Sequence, residues 1–408
     1  MTKLPTLDDV DVKGKTVILR VDLNVPYDPN THSIRDSERI RAHAETVKEL
    51  SDKGAKVIVL AHQGRKGDLD FTHLAQHAEL LARDAGKDVL YVDDVIGEKA
   101  LKAIAQLDEG EVLLLDNVRL LEDEAIEKTA EEHSRSSLVK TLSPLADLFV
   151  NDAFSVAHRS HASIVGFTVL LPSVAGRVME HEIESCEKAL NAKRPRIFIM
   201  GGVKPDDCVE IVKHMLETDI LDKTLACGLF GQLSLVAGGA DLGEASESYL
   251  RRKDVLGLVP ILKDLQNKYG NKMEYPVDVA EKIDEERVER NRDALPCKGL
   301  ILDIGKKTVA HYGDLLENAG TIVVKGPAGV YEEEGFEFGT RALLDEVKNS
   351  GAYTLIGGGH TSAALASLGF SRDDFSYVSV AGGALITYLS GKDLPGVKAL
   401  QNAMSIKS

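Results

Sequence analysis

The chain has 408 residues, enough for two or three domains of ordinary size. Its formal net charge is −16 and 43% of its residues are hydrophobic, which allows a large core and argues against nucleic acid or an anionic membrane as a main partner. The four cysteines, Cys186, Cys208, Cys227 and Cys297, form no CxxC pair and no zinc spacing, so reduced thiols of a cytoplasmic protein are expected. Met1–Gly14 lacks an apolar signal core, and no run of about 18 apolar residues occurs, so neither export nor a membrane span is expected.

In chain order, short β-rich runs alternate with amphipathic stretches. The first half predicts strands over Thr16–Val21, Lys56–Leu60, Val89–Val92, Glu111–Leu115 and Asp147–Val150. Between the first two, Ile40, Ala44, Val47 and Leu50 keep helical spacing over Ser37–Lys53, with Ser37 as cap and Gly54 as stop. His73 and His77 have i,i+4 spacing without a third ligand and are expected on the surface. Val178–Ala192 reads as a charged connecting helix between a first domain, 1–177, and a second, 193–390, with 178–192 as the connector. The second half predicts strands over Arg196–Met200, Thr224–Cys227, Gly299–Ile304, Thr321–Val324, Tyr353–Ile356 and Tyr377–Val380. The segment 391–408 follows the last strand and is expected to return to the first domain. Such alternation means α/β architecture with parallel sheets, and so many strands divide more naturally into two sheets than one.

Ligands of open parallel sheets bind beyond the carboxyl ends of the strands, and the two halves differ there. The first half offers Arg20-Val-Asp22-Leu23-Asn24-Val-Pro26, then Arg39, His62-Gln63-Gly64-Arg65, Asp116-Asn117-Val-Arg119, Asn151-Asp152-Ala-Phe154 and His158-Arg159-Ser-His161. Arg39, Arg65, Arg119 and Arg159 thus gather at one sheet edge of an acidic chain. A guanidinium fork matches phosphate and carboxylate, so this reads as a pocket for a small, multiply charged anion. The second half offers glycines: Gly201-Gly202-Val-Lys204, Gly326-Pro-Ala-Gly329, Gly357-Gly358-Gly359-His360-Thr361 and Ala381-Gly382-Gly383. Glycine lets backbone amides approach phosphate oxygens, so several such loops in one sheet point to a nucleotide phosphate tail. The GxxxxGK[ST] loop, the GxGxxG fingerprint, the GxSxG elbow and HExxH are all absent.

The segments Arg20–Pro26, His62–Arg65, Asn151–Ser163, Gly201–Lys204, Gly326–Glu332, Gly357–Thr361 and Leu394–Leu400 match, in order and over nearly the whole chain, the motifs of phosphoglycerate kinases. The GGGHT variant resembles their archaeal branch. The resemblance implies two Rossmann-like three-layer lobes joined by a hinge helix. It implies reversible phosphoryl transfer from 1,3-bisphosphoglycerate to ADP, giving 3-phosphoglycerate and ATP. It also implies Mg²⁺ carried with the nucleotide, and no nucleic-acid or membrane partner. Whether the enzyme is a monomer or a homodimer stays open. Residue by residue, it assigns Asp22, Leu23, Asn24, Arg39, His62, Gln63, Gly64, Arg65, Arg119 and Arg159 to the phosphoglycerate. Lys204, Glu332, Gly358, Gly359, His360 and Thr361 fall to the nucleotide, with Arg39 and Lys204 as the catalytic cations. If those two lie on opposite lobes, the lobes must close for chemistry. Pro276 and Asp278 match a further family segment.

Three positions depart from the family pattern. His360 stands where aspartate is common, Cys208 where many members have a second lysine, and Lys325 where asparagine is usual. Lys325 is either a replacement cation or a solvated lysine at a strand end. Two other functions compete with the kinase: a kinase for an amino acid or short acid, and a non-catalytic nucleotide-binding scaffold. An amino acid would want an acidic partner for its ammonium, which the arginine edge does not supply.

Overall fold

The computed structural model describes residues 4–405. They fall into two compact units, one of residues up to Ile183 together with those from Asp393 on, the other Glu184–Lys392. The helix Arg177–Asn191 carries the chain from one to the other.

The first unit is built on a six-stranded parallel sheet. Its order is Val89–Val92, Val112–Leu115, Lys56–Leu60, Thr16–Arg20, Leu148–Asn151, Ser173–Ala175. Side chains alternate between the faces of a strand, and here both faces are covered. Val17, Leu19, Val57 and Val59 pack with Ile40, Val47 and Leu50 of the helix Glu38–Asp52. Ile18, Ile58 and Phe149 pack on the other face with Ile104, Leu138 and Phe167. The helix Glu38–Asp52 starts where the sequence predicts, because the Ser37 hydroxyl accepts the Arg39 N–H at 3.2 Å. From Thr16–Arg20 the chain crosses to Lys56–Leu60 on one side and later to Leu148–Asn151 on the other, a topological switch point. The helix Pro395–Ser405 also packs in this unit. Its Leu400 is fully buried, and the Gly396 N–H donates to the Ala157 carbonyl at 2.9 Å.

The second unit is also built on a six-stranded parallel sheet, in the order Met273–Glu274, Lys223–Ala226, Arg196–Met200, Thr321–Lys325, Tyr353–Gly357, Tyr377–Val378. Its switch point lies beside Arg196–Met200, which Lys223–Ala226 and Thr321–Lys325 flank.

The predicted strand Gly299–Ile304 is real, as Leu300–Ile304, but lies outside this sheet. It pairs antiparallel with Asp278–Ile283, which pairs in turn with Glu286–Asn291. The apolar run shows a strand but not its partner. The hairpin partner was missed because Glu286–Asn291 is a charged, largely exposed edge, turned by Asp284 and Glu285 at positive φ. The edge strands Ser173–Ala175 and Met273–Glu274 are too short to leave a pattern.

Candidate functional site

In the first unit, four strand ends feed one pocket. Past Arg20 the chain turns through Asp22, which is buried. Arg39, from the first turn of its helix, places Nη1 3.1 Å from Asp22 Oδ2 and donates to the Asn24 carbonyl at 2.7 Å. His62 Nδ1 lies 3.8 Å from Asp22 Oδ1. Burial works to raise the Asp22 carboxyl, but Arg39 and hydrogen bonds from Ser155 and the Asn24 amide outweigh it and hold the group well below the carboxylate range. Asn24 Oδ1 accepts the Gly64 N–H at 2.7 Å, and an Arg119 Nη donates to the Gly64 carbonyl. Arg65, Lys66, Arg119, Arg159 and His161, with Glu122 and Glu127, wall a cavity of about 570 Å³, and Glu127 lies 3.9 Å from Arg159 and 3.5 Å from His161.

The histidines register the field of this pocket. Burial pushes His161 down to about 3, and Arg119, Arg20 and Arg159 push the same way. Burial likewise pushes His62 well below its usual value; Arg20, Arg119 and Arg39 add to the effect, against the pull of Asp22. Both rings are therefore neutral at pH 7 and leave the positive charge to the arginines.

Two expected residues turn their side chains elsewhere. Leu23 is in the core. The Gln63 amide clamps Val25, accepting its N–H at 2.9 Å and donating to its carbonyl at 3.0 Å. Their backbones hold the loops in place. His77 corrects the surface expectation: it is fully buried, its Nε2 3.1 Å from Gln63 Oε1, and burial lowers it to about 4. His73 is exposed, as expected, and pairs with buried Asp116.

Further polar residues support the pocket from beneath. Arg20 Nε donates to Ser163 Oγ at 2.8 Å, and Ser163 donates to Glu124 at 2.6 Å. Burial raises Glu124 to about 7 against the pull of Arg20. His43 accepts the Asp22 amide at Nε2 (3.2 Å), and its Nδ1 lies 2.7 Å from Asp152. Arg20, Asp152 and Ser163 stand in the quoted motifs, whereas Glu124 and His43 left no local signal, because their roles come from contacts far along the chain.

In the second unit, glycine loops meet edge to edge. Gly326 has φ +82°, and a Cβ on it would lie 2.2 Å from the Gly201 carbonyl oxygen, so no other residue fits there. Thr361 braces the arrangement. Its hydroxyl donates to the Gly357 carbonyl at 2.7 Å and accepts the Gly326 N–H at 2.8 Å. Two cavities share Gly202, Val203 and His360 in their walls. One, of about 190 Å³, is bounded by Lys204, Asp207, Lys325, Gly358, Gly359 and Thr361. The other, of about 280 Å³, is mainly apolar, with Leu229, Tyr249, Ile301 and Tyr331 in its walls and Glu332 among its few polar residues. Its lining was not foreseen, because ordinary apolar residues from separate loops make it.

An arginine-ringed anion pocket on one parallel sheet, and an apolar slot beside a glycine cradle on another, are the equipment of a nucleotide-dependent phosphotransferase. A family model described as phosphoglycerate kinase matches residues 7–392. The phosphoglycerate kinase of Methanothermobacter thermautotrophicus is 40% identical over 98% of this chain and 97% of its own length. That of Methanosarcina mazei is 43% identical over 98% and 95%. The crystal structure of phosphoglycerate kinase from Pyrococcus horikoshii OT3 superposes with a TM-score of 0.91 at 34% identity, over 98% of this chain and all of that one. The chain belongs to the phosphoglycerate kinase family. Its activity is that of a kinase for a carboxyl group: reversible phosphoryl transfer from 1,3-bisphosphoglycerate to ADP, yielding 3-phosphoglycerate and ATP.

Proposed function

We propose that the arginine pocket of the first unit holds the phosphoglycerate and the cradle and slot of the second hold ADP or ATP. Asp22, Asn24, His62, Arg65, Arg119 and Arg159 position the substrate, with Leu23, Gln63 and Gly64 contributing through their loop backbone. Gly358, Gly359, His360 and Thr361 surround the nucleotide phosphates, Glu332 takes the ribose, and the base lies in the apolar slot. The observation that carries this reading is that Arg65, Arg119 and Arg159 line one cavity of the first unit, with Arg39 fixed nearby by buried Asp22.

In the forward direction an oxygen of the ADP β-phosphate attacks the acyl phosphorus. The bond from phosphorus to the carboxyl oxygen breaks, and 3-phosphoglycerate leaves as a carboxylate. A leaving carboxylate is stable as an anion at neutral pH, so no general acid is required, and in the reverse direction no base. What the protein supplies is position and positive charge around the transferred oxygens, from Arg39 and Lys204. Kinases of this family generally work with Mg²⁺. The cradle wall offers a single carboxylate, Asp207, and no set of three or more metal-ligating side chains occurs among the described residues. That would suit Mg²⁺ held chiefly by nucleotide phosphates and water, with Asp207 the wall carboxylate that could join them, and such an ion would neutralise phosphate charge. The reading puts the enzyme in the cytoplasm as a monomer or homodimer, with neither nucleic acid nor membrane as partner. No helix among the described residues is long and apolar enough to cross a membrane.

A coupled assay with 3-phosphoglycerate, ATP and Mg²⁺ tests it. Turnover is expected, and unphosphorylated short acids or amino acids should be poor substrates. Preference for such an acid would favour the alternative kinase, and nucleotide binding without turnover the scaffold.

A further inference from the structure

The strand Thr321–Lys325 is buried from end to end, yet it finishes in a lysine. Register places Lys325 between Met200 and Gly357, the last residues of the neighbouring strands and the points where two glycine loops begin. It therefore stands at the switch point of the second sheet, where ligands of such sheets bind. The residue is 7% exposed, so it is no solvated lysine at a strand end.

Its ammonium has three polar neighbours. It donates to the Lys204 carbonyl at 3.1 Å, lies 3.5 Å from Cys208 Sγ, and lies 3.4 Å from Asp207 Oδ2. Burial holds the Cys208 thiol up at about 11, so it brings no charge. One partly exposed carboxylate thus faces a buried ammonium, with exposed Lys204 in the same cavity wall. Burying a charge is costly unless it is well paired, and this pairing is incomplete. The remaining walls are glycine loops, which offer amide donors and no further acid. Such a place is short of one anion.

We propose that Lys325 is a catalytic residue of the phosphoryl transfer, its ammonium binding an oxygen of the transferred group inside the glycine cradle. This rests on the assignment of the cradle to nucleotide phosphates. Lys325 then supplies, from the strand, a cation that position 208 on the adjoining helix does not.

Lys325→Met removes the charge and keeps the length. Its kcat should fall about 10²-fold, the usual effect of removing one preorganised donor to a transition state. The KM for 3-phosphoglycerate should stay within about threefold, ATP, which carries the transferred group, should bind several-fold more weakly, and ADP should bind as before. Replacing a buried ammonium by an apolar chain is not expected to unfold the protein. Lys325→Gln serves as a second, polar test of the same charge. Returning an ammonium from the helix, in Lys325→Met with Cys208→Lys, should recover at least about tenfold of the lost kcat. An unchanged kcat in both single variants would overturn the proposal, and so would a double variant as slow as Lys325→Met, since the loss would then come from packing. If the wild-type protein shows no turnover, it is the assigned reaction that fails. ATP and ADP titrations then decide on Lys325 alone, and equal ATP affinity with and without the lysine would sink it.

Discussion

The two units each carry a six-stranded parallel sheet and differ in what their strands deliver at the carboxyl ends. The first delivers side chains: Arg39, Arg65, Arg119 and Arg159 reach into the loops, and buried Asp22 fixes Arg39. The second delivers backbone. Its loops approach so closely that a single methyl at Gly326 has no room, and Thr361 spends its hydroxyl bonding one loop to the next. A small anion with separated charges is best read by guanidinium forks at fixed angles. A long ligand with a phosphate tail needs room and many amide donors, and glycine provides both. The first site should therefore fail when charge is removed, and the second when atoms are added.

The largest effect is expected from Arg39→Ala. Turnover should drop by about 10³-fold or more, the scale of a cation acting on a transferring phosphoryl group. ADP affinity should stay within about threefold, and that titration also shows that the second unit is folded. Loss of ADP binding in this variant would erase the contrast between the units. Gly326→Ala attacks the other side. With φ at +82° and a Cβ 2.2 Å from a carbonyl oxygen, the loop must shift. Strain of about 1–3 kcal/mol should weaken nucleotide binding by roughly tenfold or more. Phosphoglycerate binding, followed by calorimetry, should not change; equal loss of both ligands would show that the sites are not independent. Arg119→Ala comes next. A charge-assisted hydrogen bond contributes about 1.5–3 kcal/mol, so the KM for 3-phosphoglycerate should rise roughly 10- to 100-fold at constant KM for ATP. An unaltered KM for 3-phosphoglycerate would remove Arg119 from the pocket.

Much of this contrast can be read in the sequence, for a physical reason. Period and punctuation reveal strands, and parallel sheets put function directly after them. The arginine edge and the glycine edge therefore appear as local strings such as His62–Arg65 and Gly357–Thr361. What depends on partners far along the chain stays hidden. Leu300–Ile304 looks like its parallel neighbours until its antiparallel partner is known. His77 looks like a surface histidine from its spacing, yet the fold buries it and sets its Nε2 3.1 Å from Gln63 Oε1. The apolar slot, built from Leu229, Tyr249, Ile301 and Tyr331, has no string at all. Lys325 was visible as an oddity, but only its burial separates the two roles it was given.

The smallest expected effect concerns acid stability of the first unit. His161 is held down to about 3, chiefly by burial and then by Arg119, Arg20 and Arg159. A histidine depressed in the fold takes up its proton only on unfolding. Below the ordinary value of about 6.5 the unfolded chain therefore binds more protons than the native one, and stability falls with pH. One such group removes about 1 kcal/mol between pH 7.5 and 5.5, since a pH unit below 6.5 corresponds to 1.36 kcal/mol at most. Glu124 acts in the opposite sense: raised to about 7, it favours the fold at low pH and loses that contribution as pH rises toward 7. Over the same window its contribution is of similar size to that of His161, so a single variant is needed to separate the two. His161→Asn keeps a polar side chain and removes the titration. The stability lost between pH 7.5 and 5.5, measured by urea unfolding, should shrink by about 1 kcal/mol relative to wild type. Were the acid sensitivity the same in the variant, the fold would not be holding His161 neutral, and the histidines would not be leaving the positive charge of the pocket to the arginines.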